Sequence, residues 1–102
     1  MDRIAYFEKM LEDDPTNATG LLALANEYGK ADRKEDEART LEKYVASNDD
    51  EGNAYLRLGE TLAGLGREEE ARDAFGRGIA QAGKHGHDGM VAEMTLALEG
   101  LD

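Results

Sequence analysis

Two stretches of this chain repeat at a distance of 34 residues, and that register limits the fold more than any other feature. Leu21-x-x-Leu24-Ala25-x-x-Tyr28 returns, position for position, as Tyr55-x-x-Leu58-Gly59-x-x-Leu62. A period of that length accommodates one helix–turn–helix unit. A unit so small cannot bury its apolar face alone, so units of this kind stack on their neighbours. At 102 residues the chain has the size of one domain, able to bury about two-thirds of its extended surface. The expectation is one domain over 1–102 built from helix pairs.

Hydrophobic periodicity predicts six helices. The first, over about Asp2 to Asp13, places Ile4, Phe7, Met10 and Leu11 on one face. Pro15 disfavours helical geometry at Asp14, and Thr16 or Asn17 is placed to cap the next helix. That second helix, about Ala18 to Ala31, carries Leu21, Leu24, Ala25 and Tyr28. Asp32 is expected to cap the third, with Glu35 at the capping-box position. Ala38, Leu41 and Val45 face inward from it. The fourth, about Asn53 to Leu65, ends at Gly66, suited to a left-handed cap. The fifth, about Arg67 to Ala82, packs through Ala71, Ala74, Phe75, Gly78 and Ile79. After Gly83-Lys84-His85-Gly86-His87, a sixth helix from about Asp88 to Leu101 brings Met90, Val91, Met94, Ala97, Leu98 and Leu101.

Tyr55, Leu58, Gly59, Leu62, Gly66, Ala71 and Phe75 together resemble one tetratricopeptide repeat. Leu21, Leu24, Ala25, Tyr28 and Leu41 are similar to the same unit, with Ala38 one place late, as an extra residue in the turn around Ala31 to Lys34 would make it. Phe7 and Pro15 fit the second half of a preceding repeat. The chain also resembles the short free-standing bacterial members of the family, and the resemblance implies an all-α, right-handed α-solenoid of antiparallel helix pairs. Its parts are a half repeat over 1–15, repeats over 18–48 and 52–83, and a C-terminal capping helix over 88–101. It also implies a non-catalytic protein-interaction module holding a peptide or helix in a concave groove.

Stepping along the first helix of each repeat, off the core stripe, gives two parallel rows. One is Thr19, Leu22, Asn26 and Lys30; the other is Asn53, Leu56, Arg57 and Glu60. Equivalent members lie 34 apart, and Leu22 with Leu56 forms the expected centre of a partly apolar groove. Asn26 suits a peptide backbone and Arg57 a partner carboxylate. The family's carboxylate clamp for chaperone tails is disfavoured: Leu22 stands where that mode wants lysine, and Arg57 where it wants asparagine.

Charge narrows the partner. With 23 acidic and 12 basic side chains, the formal charge is −11, which repels nucleic acid and anionic lipid. A protein or peptide partner is expected, with a basic one favoured, although acidity also serves solubility. A homo-oligomer through the terminal helices, with Met90, Met94 and Leu98, is the alternative, and an accessory subunit of an enzyme is a further one. With no cysteine, thiolate catalysis and most structural zinc sites are excluded. His85-x-His87-Asp88 lacks a third clear ligand. The acidic turn at 48–52 is no calcium loop, since the position six after Gly52 is Leu58. No cofactor, metal or catalytic residue is expected. No apolar run is long enough to span a membrane, and Met1-Asp2-Arg3-Ile4 is unlike a signal peptide, so the expected location is cytoplasmic.

Overall fold

A computed structural model describes residues Asp2–Leu101. Among them are six helices and no strand: α1 (Arg3–Asp13), α2 (Ala18–Lys30), α3 (Lys34–Ser47), α4 (Asn53–Gly64), α5 (Glu68–Lys84) and α6 (Asp88–Gly100). The all-α expectation is met, with helix ends within two residues of those read from sequence. The helices fall into two compact units, one ending at Asn48 and the other starting at Asp49.

In the first unit α2 packs against α1 and α3. Its core is Leu21, Leu24, Ala25 and Tyr28 from α2, with Ala38, Leu41, Tyr44 and Val45 from α3. No residue of α1 is fully buried. Polar ties fasten it instead: Arg3 Nε donates to Glu27 Oε1 at 2.5 Å, and the Tyr28 hydroxyl donates to Glu8 Oε2 at 2.5 Å. Asn17 starts α2, its Oδ1 accepting from the Gly20 amide at 2.8 Å, which decides between the two caps foreseen.

In the second unit α5 packs against both α4 and α6, and α6 lies chiefly on α5. Leu58, Leu62, Ala71, Ala74, Phe75, Ala82 and Met94 are buried. Glycine permits the closest approaches. A Cβ on Gly59 would lie 2.5 Å from the Phe75 ring, and one on Gly78 would lie 2.5 Å from the Met94 sulfur. The first unit solves the same crossing differently. Ala25 and Leu41 stand 34 residues before Gly59 and Phe75, and both are fully buried. A larger residue on one helix is matched by a smaller one on the other, as close packing requires.

The turn before α3 departs from expectation. Asp32 does not cap; it takes the left-handed conformation (φ 58°), as do Gly66 (φ 77°) and Gly86 (φ 73°). The N-cap is Arg33, without a side-chain cap bond, and its Nε donates to Asp36 Oδ2 at 2.8 Å. Arg33 donates its amide to the Tyr28 carbonyl at 2.9 Å, Arg67 to Leu62 at 3.0 Å and His87 to Ala82 at 2.8 Å. This is the Schellman closure, which satisfies a carbonyl left over at a helix end. All three turns share it, so the turn over residues 31–34 holds no extra residue. The displaced small position is instead absorbed within α3, where Glu37 and Ala38 are both buried.

Candidate functional site

The outward face of α2 opposes its core stripe, because positions 19, 22, 26 and 30 recur at helical spacing on the other side from 21, 24, 25 and 28. Thr19, Leu22, Asn26 and Lys30 are all exposed there. Leu22 keeps 37% of its surface open, whereas the neighbouring Leu21 and Leu24 are buried. Lys30 Nζ lies 3.8 Å from Glu27 Oε1, so that cation is partly occupied by its own helix.

On α4 the corresponding row is less uniform. Asn53 and Glu60 are exposed, while Leu56 and Arg57 are half-buried, and Arg57 is engaged within the fold. Each row is thus gathered on one face of its own helix, with an exposed or half-exposed leucine near its middle.

Two concavities lie elsewhere. A cleft of about 320 Å³ is lined by Leu11, Pro15, Leu21 and Ala46 among others. A second, of about 310 Å³, is lined by Glu8, Glu12, Tyr28, Arg39, Thr40 and Lys43 among others. Both open beside the core side of α2, between residues of α1 and α3, and neither is lined by a row residue. Burial first, then the hydrogen bond to Glu8, pushes the Tyr28 hydroxyl up to about 12. The Arg33 guanidinium stacks over its ring, 4.7 Å from the centroid. That hydroxyl is committed to holding α1.

The histidines of the α5–α6 turn meet a residue from the segment before α4. Glu51 Oε1 lies 2.9 Å from His87 Nε2 and 3.6 Å from His85 Nδ1. The hydrogen bond to His87, followed by the charge of His85, holds the Glu51 carboxyl below its ordinary range. Thirty-six positions separate Glu51 from His87, and no periodic signal links them. Among the described residues, no group of three His, Cys, Asp or Glu side chains is arranged to hold a metal ion.

On α6, Met94 is fully buried beside Gly78 of α5 and is not available to a second chain. The large apolar residue exposed on α6 is Leu96, with 67% of its surface open. Among the described residues no helix is long and apolar enough to cross a membrane. No protein-family model and no curated protein matches the chain.

Proposed function

We propose that this chain is a non-catalytic protein-interaction module that holds a peptide or helix on the outward rows of α2 and α4. The observation that carries the reading is the exposure of Leu22 on a helix whose other leucines are buried, with half-buried Leu56 at the position 34 residues on. An apolar side chain off the core stripe at the same site of both repeats is what docking by each repeat requires. The resemblance of the 34-residue register to tetratricopeptide repeats supports it, as does the right-handed solenoid of helix pairs which that resemblance implies. A formal charge of −11 favours a basic ligand, and the absence of cysteine accords with a cytoplasmic setting.

The test is selection from a displayed peptide library, followed by titration against the variant Leu22→Asp/Leu56→Asp. Basic peptides are expected, with affinity lowered at least about tenfold in the variant and the helical circular-dichroism signal retained. Undiminished binding by a folded variant overturns the reading.

Self-association through the terminal helices is the rival, favoured by the exposure of Leu96. It requires oligomers in light scattering that Leu96→Glu returns to monomers.

A further inference from the structure

The segment entering α4 is held at three successive residues, each by different chemistry. Asp50 Oδ2 accepts from the amides of Gly52 and Ala54 at 2.8 and 2.9 Å, closing the N-terminus of α4. Gly52, at φ 124°, is seated so closely that a Cβ there would lie 2.8 Å from the Met90 sulfur and 3.0 Å from the Ala82 Cβ. Between them, Glu51 extends its carboxylate to two imidazoles whose rings lie 6.3 Å apart and 21° from parallel. A cap on α4 and a packing contact thus flank a contact whose strength depends on protonation.

We propose that Glu51, His85 and His87 form a pH-sensitive latch that fastens the segment before α4 to the α5–α6 turn, tightest on the acid side of neutrality and loosened above it. The two histidines occupy opposite helix poles. His85 is the C-cap of α5, where leftover carbonyls favour a cation. His87 is the N-cap of α6, where exposed amides disfavour one. A charged imidazole at position 87 therefore depends on the Glu51 carboxylate, and two imidazolium rings this close need an anion between them.

The sign follows from the two kinds of group. An imidazole gains its charge on the acid side of neutrality, so ion pairs to the Glu51 carboxylate are strongest there and weaken as pH rises. Glu51 sits below its ordinary 4.5, and its contribution persists above that range and is lost as pH falls through the lowered value. The remaining charges along these segments are Asp49 and Asp50 before α4, Lys84 at the end of α5 and Asp88 at the start of α6. The latch goes beyond the binding reading and is tested without any ligand.

Hydrogen exchange at the Gly52 and Ala54 amides reports the segment directly. After correction for intrinsic rates, protection in the full chain is expected to be about two- to five-fold greater near pH 5.5 than near pH 8, the span of an exposed ion pair. The Gly20 amide, at the Asn17 cap of α2, serves as the reference and should show no such ratio. Glu51→Gln and the double variant His85→Asn/His87→Asn should each bring the ratio to one without loss of helical signal, His87→Asn alone should reduce it, and about 1 M salt should shrink it. Carbon-13 titration of the Glu51 carboxyl should move up toward the ordinary range in His87→Asn. Equal protection at both pH values in the wild-type chain overturns the latch. A ratio that survives Glu51→Gln assigns the effect to other groups and overturns it equally.

Discussion

Gly59 illustrates how one residue determines a helix crossing. Its missing side chain admits the Phe75 ring, and Gly59→Ala would push a methyl group to within 2.5 Å of that ring. Overpacking of this kind costs about 1–3 kcal/mol, more than the helix propensity that alanine adds. Adding Phe75→Leu should recover most of the loss, since it recreates the Ala25–Leu41 pairing of the first unit; urea melts of the single and double variants measure the coupling. Gly76 is the contrast, with nothing within 4 Å of an added Cβ. Gly76→Ala should therefore stabilise the chain by about 0.5–1 kcal/mol. Tyr28 supplies a pH dependence at the same scale. Its folded-state pKa is raised from 10.0 to about 12, so the stability it contributes is whole below about 10 and is lost as pH rises through 12. The alkaline limb of a thermal-stability profile should flatten in Tyr28→Phe.

At the scale of elements, the six helices and their buried faces were legible because amphipathic helices leave periodic marks. Asn17 and Gly66 were readable as helix ends from residue type alone. Asp32 was misread because aspartate serves both as an N-cap and, less often, in the left-handed conformation. Gly66, 34 residues later and itself suited to a left-handed cap, is the sequence signal for the conformation that Asp32 takes. Removing the Cβ by Asp32→Gly should raise stability by about 0.5–1 kcal/mol, read as an upward shift in Tm. The contact of Glu51 with the histidines had no such mark, since tertiary contacts between turns follow no period. Nor could exposure be read from hydrophobicity: Leu96 and Met94 lie two residues apart on α6, one open and the other fully buried.

For the whole molecule, charge is the property that reaches furthest. Twenty-three carboxylates against twelve cations give long-range attraction to basic ligands that salt screens within about 10 Å at 0.1 M. Binding to a basic peptide should therefore weaken steeply as salt is raised. Self-association of so acidic a chain should instead strengthen, because screening relieves repulsion between copies. Isothermal titration and light scattering across one salt series separate the two. The rows on α2 and α4 were legible as outward positions, and the structure gives each its own degree of exposure: open at Leu22, half-closed at Leu56 and Arg57.

The three Schellman turns have a consequence in time. Each joins consecutive helices by a carbonyl and an amide five residues apart, so each hairpin begins from a loop that is short to close. Chains dominated by such local pairings fold on the order of microseconds to milliseconds. Apart from Pro15, which follows Asp14 in the turn before α2, the sequence has no proline, so slow isomerisation has one place to act. Stopped-flow refolding should show a dominant fast phase, and Pro15→Ala should remove any slow one.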